Sequence, residues 1–375
     1  MIYLDYAADT PTDERVLAEF CRASREYIAN ANSPHPLGEA AAARVTAATA
    51  QIARLMHAKE DEVIYTSGAS ESNNLAIRGV AEQYAAYGKH VIATCLEHAS
   101  VSGPALWLQQ NGWELDWLDV DSDGQIDCSQ LEDLLRPDTV LVTVCAVDSE
   151  LGTRQDIGRI ARLLAGRPHC FLHVDATQAV GKIPVTFDGA DLMTFTPHKF
   201  YGTLGCGVLL KRETVRLSPQ ILGGGSTTPY RSGTPPVPLI AATDTALALA
   251  VAEQAPRARH VAALNARLRA AFTRDPHVHI NSPADAVPFI LNISVAQGRG
   301  EAMRMALAER GICVASKTAC CAVNTVSRPV FALTHDRRAA ASTLRISLSH
   351  LTTDTEIDEF LAAFADCERR LFPDG

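Results

Sequence analysis

Short apolar, β-branched runs alternate along the chain with longer stretches of amphipathic character. "VIATCL" (91–96), "LVTVCAV" (141–147), "CFLHVD" (170–175), "LMTFT" (192–196) and "GVLLKR" (207–212) carry apolar residues on both sides of the pleat, as strands covered on both faces do. Between such runs, "ESNNLAIRGVAEQYAAYG" (71–88) and "IGRIARLLAG" (157–166) follow the helical period. Strand and helix in alternation predict an α/β fold with a mostly parallel sheet and helices on both of its faces. Residues 223–238, "GGGSTTPYRSGTPPVP", interrupt the pattern and predict a long ordered loop. A helical stretch, "LIAATDTALALAVAEQ" (239–254), follows, and then a more mixed α+β segment. This places a boundary near 250–260. A large domain over 13–255 is expected, with a smaller α+β domain formed by 256–375 and a returning N-terminal arm, 1–12.

A chain of 375 residues, 47% hydrophobic, can bury one large core or two moderate ones. Its net charge is 34 − 43 = −9, with no Lys/Arg stripe, which argues against nucleic acid and anionic membrane surfaces as partners. No apolar run approaches the roughly 18 residues of a membrane-spanning helix. The start, "MIYLDYAADTP", lacks the basic and apolar regions of a secretory signal, so a cytoplasmic protein is expected. The ten cysteines include no C-x-x-C and no tight Cys/His cluster, which removes disulfide framework and zinc site alike. Two of them, Cys320 and Cys321, are adjacent in "VASKTACCAV" (314–323). Neighbouring Cα atoms lie about 3.8 Å apart, short of the roughly 4.4–6.8 Å of a relaxed disulfide. That leaves packing or thiol chemistry.

Three segments suggest chemistry. In "TFTPHKFYG" (194–202) a lysine, Lys199, closes an apolar strand; desolvation there would supply the neutral amine that a Schiff base requires. In "HVDATQAVGK" (173–182), Asp175 ends a buried strand, where α/β folds place their ligands. In "YTSGASESNN" (65–74), small residues between a strand and a helix, Ala69 and Ser70 among them, offer backbone N–H groups to a phosphate. Singly, each has an ordinary alternative: a snorkelling lysine, a helix cap, a tight turn. Together they describe a pyridoxal 5′-phosphate site, with the aspartate on the pyridine nitrogen and the lysine on the aldehyde.

With these motifs in this order, the chain resembles the cysteine desulfurases of the class V aminotransferase group, in the iron–sulfur-cluster and nitrogenase-associated branch. The resemblance runs from "YLDYAADTP" (3–11) to "LRISLSHLTTDTEID" (344–358). It implies the fold type I architecture of pyridoxal phosphate enzymes. It also implies that Lys199 holds the cofactor, Asp175 the pyridine nitrogen and Gln178 the phenolic oxygen, while His98 stacks on the ring and shuttles a proton. Ser70, Ala69, Thr196 and His198 would bind the phosphate. Thr234, in "RSGT", would reach the phosphate of a neighbouring subunit, which implies a homodimer with shared sites. Arg345 would grip the substrate carboxylate.

"SKTACC" matches the family's Ser-x-x-Ala-Cys loop, making Cys320 the nucleophile that takes sulfur from L-cysteine as a persulfide, with L-alanine as product and a sulfur-acceptor or scaffold protein as partner. The chain departs from the family's pattern at several positions. Asp148-Ser149 stands where Asn-Asn is usual, so Ser149 offers one hydroxyl where the substrate would meet an amide. Asp9 replaces a usual Thr, Ser226-Thr227-Thr228 replaces Gln-Glu-Arg, Lys317 a small residue, and Cys321 a small polar one. These changes fall on the substrate side, which keeps two alternatives in view: a related lyase or aminotransferase, for example a selenocysteine lyase, and a low-activity scaffold that binds the cofactor.

Overall fold

The computed structural model describes residues 1–318 and 325–373. After a short first strand, β1 (Ile2–Tyr3), come β2 (Val63–Thr66), β3 (His90–Thr94), β4 (Glu114–Leu118), β5 (Thr139–Cys145), β6 (Phe171–Asp175), β7 (Leu192–Phe195) and β8 (Gly207–Lys211). These seven later strands make one sheet in the order β2-β8-β7-β6-β5-β3-β4. β8 is antiparallel to both its neighbours, β7 and β2, and the other pairings are parallel. Two apolar clusters cover the sheet. One joins Ile52, Met56, Leu172, Val174, Phe195 and Leu247, and the other joins Ile64, Ile77, Val91, Leu141 and Leu209. The mostly parallel, doubly covered sheet is thus what the apolar runs demand.

Two of the observed strands end two residues short of their runs. β3 ends at Thr94 and β5 at Cys145, before Leu96 and Val147. Leu96 stays apolar for another reason: it packs with Cys145, Leu151 and Val330 in a small cluster beneath the loops that follow the strands. Loop 223–238 is held by isolated bridges from Arg231 to Ile221 and Thr228 and by the Arg231 guanidinium on Glu71, 2.9 Å away.

The helices Val237–Ala252 and Gln254–Phe272 meet at a bend of 65°. The first packs Ile240, Leu247 and Ala250 against the large sheet. The second sends Val261, Leu264, Leu268 and Phe272 into a separate core with Leu4, Phe360 and Phe364. Around that core lie β9 (Val278–Ile280), β10 (Ile290–Val295), β11 (Ile312–Cys313) and β12 (Thr343–Ser347). β9, β10 and β12 form an antiparallel sheet, while β1 pairs in parallel with β11. The chain's start is therefore sewn to its last third, and Ala7 and Ala8 come to lie beside the carboxyl ends of β6 and β7. Among the described residues, no single helix is long and apolar enough to cross a membrane.

Candidate active site

Strand alternation sets the first acid. Leu172 and Val174 of β6 face the core, so His173 and Asp175 share the opposite face. His173 bridges Thr143 Oγ1 (2.8 Å) and Thr194 Oγ1 (3.2 Å) on the flanking strands, and burial pushes its imidazole down to about 4, so it is neutral. One step further, Asp175 leaves the sheet into a cavity of about 390 Å³. Its Oδ2 accepts from Asn73 Nδ2 at 2.8 Å and its Oδ1 from the Thr177 N–H at 3.0 Å. The same Asn73 amide donates to Ser100 Oγ at 2.9 Å, and Ser100 Oγ lies 2.8 Å from His98 Nδ1. His98 Nδ1 also accepts the Ser100 N–H, capping the helix Ala99–Gln110. With Nδ1 an acceptor, the imidazole proton sits on Nε2. Burial, followed by the cations Lys199 and Arg345, lowers the His98 pKa against the pull of Asp175.

The opposite wall is a helix start. The helix Ala69–Tyr84 begins after Gly68 with no side-chain cap, leaving first-turn N–H groups turned to the cavity. Gly207, opening β8, makes this approach possible: a Cβ there would lie 2.4 Å from Gly68 C. The connection from β7 to β8 passes under the cradle and carries Thr196, His198 and Lys199. Phe200, packed in the core, fixes the turn so that Lys199 faces the cavity. Lys199 Nζ donates to Ala7 O (3.0 Å) and Ala8 O. Thr196 donates its hydroxyl to Cys206 O (2.8 Å). His198 Nδ1 pairs with Asp9 Oδ1 at 2.9 Å, which gives the unusual Asp9 a function as the residue orienting that imidazole. Burial and the neighbouring Lys199 lower the His198 pKa, opposed by Asp9.

At the rim stands Arg345 of β12, 1% exposed. Its Nη1 donates to Ser149 O (3.0 Å) and its Nη2 to Asp5 Oδ1 (2.7 Å), while its buried Nε has no partner among the described residues. Beside Ser149, Asp148 accepts the N–H groups of Glu150 and Leu151. Burial, then the Glu150 charge, raises the Asp148 pKa to about 7. Glu150 accepts from Thr318 N (3.2 Å), Thr318 Oγ1 (3.3 Å) and Ser327 Oγ (2.5 Å), so one carboxylate ties residues on either side of positions 319–324. Lys317 reaches across the same interval to Thr325 O at 2.7 Å.

Ten of the residues singled out from the sequence line this one cavity: Lys199, Asp175, His98, Gln178, Ser70, Ala69, Thr196, His198, Ser149 and Arg345. Thr234 does not. It lines an adjoining cavity of about 240 Å³ that shares Ser67 and Gly205 with the first. Cys320 and Cys321 lie outside the described residues. Asn73, Asp5 and Glu150 were not singled out, and Asp9 only as a departure from the family's pattern; each sits in a quoted or neighbouring motif, but its partner is distant in sequence.

A family model for aminotransferase class-V matches residues 2–360. This chain belongs to the class V aminotransferases. The cysteine desulfurase IscS of Aeromonas salmonicida is 38% identical over 379 residues, covering 99% of this chain and 93% of the relative. A solved NifS-like protein superimposes with a TM-score of 0.92 at 32% identity, covering 98% of this chain and 99% of that one. A structure of SspA in complex with cysteine does so with a TM-score of 0.83 at 30% identity, covering 94% and 100%.

Enzymes of the class V family use pyridoxal phosphate, and the donor set here suits it. An amine, a carboxylate and a neutral imidazole face one cavity with a helix N-terminus that has no side-chain cap, and Arg345 lines the same cavity.

Proposed function

We propose that this class V enzyme is a pyridoxal-phosphate-dependent cysteine desulfurase that converts L-cysteine to L-alanine and takes the sulfur onto Cys320 for delivery to an acceptor protein. The observation that carries this is the convergence of Lys199, Asp175, His98 and Arg345 on one cavity whose rim, at Thr318, adjoins the segment bearing Cys320. The names of the relatives and the cysteine-bound neighbour support it.

When bound, pyridoxal phosphate supplies an electron sink that acidifies the substrate Cα–H. Lys199 would hold the aldehyde, and its amine would take the substrate Cα proton. Asp175 would keep the pyridine nitrogen protonated, Gln178 would donate to the phenolic oxygen, and His98 would hold the ring and move a proton through Nε2. Ser70, Ala69, Thr196 and His198 would hold the phosphate, and Thr234 would serve that of a second subunit in a homodimer. Arg345 binds the substrate carboxylate beside Ser149. The Cys320 thiolate attacks the substrate sulfur: the S–S bond forms, the Cβ–S bond breaks, and its electron pair stays on carbon, which is protonated to give alanine. Residues 13–255 form the cofactor domain, residues 1–12 and 256–375 the small domain, and the enzyme works in the cytoplasm.

The test is turnover of L-cysteine with a reductant. Wild type gives alanine and sulfide in equal amounts, and Cys320→Ala gives neither. A yellow protein that makes no alanine overturns the assignment. Ser149, in place of an amide beside Arg345, favours a second reading, a lyase acting on another β-substituted amino acid such as selenocysteine; that chemistry survives Cys320→Ala.

A further inference from the structure

Lys182 is 7% exposed, and among the described residues it forms no ion pair. Its Nζ donates to Gln178 Oε1 at 2.5 Å. The charges around it have the wrong sign for a buried ammonium. Lys199 and Arg345 both repel it and, after burial, are the causes that pull its pKa down to about 7. His198 feels Lys182 from the β7–β8 connection. On its other side, a small cavity is shared with Tyr6, Tyr201, Arg257 and His350. Burial and the two cations Lys199 and Arg345 weaken the protonated form of Lys182, so a negative charge bound in the site would favour it.

Gln178 shows where that charge lies. Its Oε1 faces Lys182, so its NH₂ must face the other way. One N–H goes to Ala7 O at 2.9 Å, the same carbonyl that accepts from Lys199. Gln178 itself lines the large cavity. An amide polarised by an ammonium at its oxygen is a stronger donor at its nitrogen.

We propose that Lys182 is a positioning residue that locks the Gln178 amide with its NH₂ toward the cavity and transmits positive charge through that amide to the anionic ring oxygen of bound pyridoxal phosphate. This rests on the cofactor assignment above and adds a residue to it. Lys182 touches neither cofactor nor substrate; it acts through Gln178.

The test uses the full chain reconstituted with pyridoxal phosphate, comparing wild type with Lys182→Met, Lys182→Arg, Gln178→Leu and the Met/Leu double variant. The readouts are the cofactor dissociation constant and the pH midpoint of the bound cofactor's visible absorbance. Losing a charge-assisted donor should weaken binding by about tenfold in Lys182→Met. Removing a nearby cation should raise the midpoint by about one unit. Lys182→Arg retains a donor and a charge and should restore both values toward wild type. The double variant should match Gln178→Leu alone, because the effect passes through the amide. Lys182→Gln, neutral and polar, gives the same comparison should the methionine variant not fold. An unmoved midpoint and affinity in a folded neutral variant, or full additivity in the double variant, overturns this inference alone. A wild type that binds no pyridoxal phosphate overturns the cofactor assignment and this inference with it.

Discussion

Asp175→Asn separates chemistry from architecture. Asp175 accepts two hydrogen bonds, from Asn73 Nδ2 and from the Thr177 N–H. An asparagine keeps the second with its oxygen but turns an NH₂ toward the Asn73 NH₂, donor against donor. The structure contains its own remedy, since Asn73 Oδ1 is buried without a partner among the described residues. Turning the Asn73 amide over presents that oxygen to the new NH₂ and gives up the bond to Ser100 Oγ, whose hydroxyl proton stays with His98 Nδ1. The net loss of folding stability should therefore be about 1 kcal/mol, that of one ordinary hydrogen bond.

The chemical loss is larger. Opposite unit charges about 4 Å apart attract by about 4 kcal/mol at an effective dielectric of about 20. An asparagine forfeits this hold on the pyridine proton. At about 1.4 kcal/mol per decade, alanine formation from L-cysteine should fall by roughly three decades. Urea unfolding and alanine production on the same preparations measure both quantities. Turnover within about tenfold of wild type would refute the role given to Asp175. A stability loss well above about 3 kcal/mol would show that the carboxylate is mainly structural.

Three further outcomes are expected. Ser149→Asn should raise kcat/KM for L-cysteine, because the longer amide offers the substrate a donor beside Arg345; an unchanged or lower value means the site has been rebuilt around serine. Asp148→Asn should gain stability over wild type as pH rises. The Asp148 pKa is raised from 3.8 to about 7 by burial, so wild type loses stability as the unfolded chain ionises first, and the gap grows from about pH 4 to about pH 7 by on the order of 1 kcal/mol per unit. Urea melts at pH 5 and pH 8 giving the same difference would contradict this. Lys199→Ala should still bind pyridoxal phosphate reversibly but should retain none of it covalently after borohydride reduction, read by mass spectrometry; covalent label in the variant would place the aldehyde on another lysine.

What the sequence made legible follows a physical line. Asp175 and Lys199 could be read because each ends an apolar run, and an ionisable group at that point of a buried strand stands out. The cradle at Ala69 and Ser70 could be read because small residues between a strand and a helix leave N–H groups open. β4 was not, because this edge strand is only partly buried and its Glu114-Leu-Asp-Trp-Leu118 run carries two acids. Pairs formed by the fold were not legible either. Asp5 and Arg345 lie 340 positions apart, and they meet only because β1 pairs with β11 and Asp5, just after it, bridges to Ser347 at the end of β12. Asp9 stood out only as a departure, and its purpose became visible in His198, 189 positions away. Lys182 reads as an ordinary polar residue in "GKIP", since nothing local shows that its head is buried behind Gln178.

The central claim is sulfur transfer from L-cysteine to Cys320, and the most direct measurement is peptide mass spectrometry after a single turnover without reductant. The account predicts one added sulfur atom on the peptide containing Cys320, matched by one alanine released per site, and no addition in Cys320→Ala. Alanine formed with Cys320 unmodified, or a persulfide found on another cysteine while Cys320→Ala turns over normally, would contradict it.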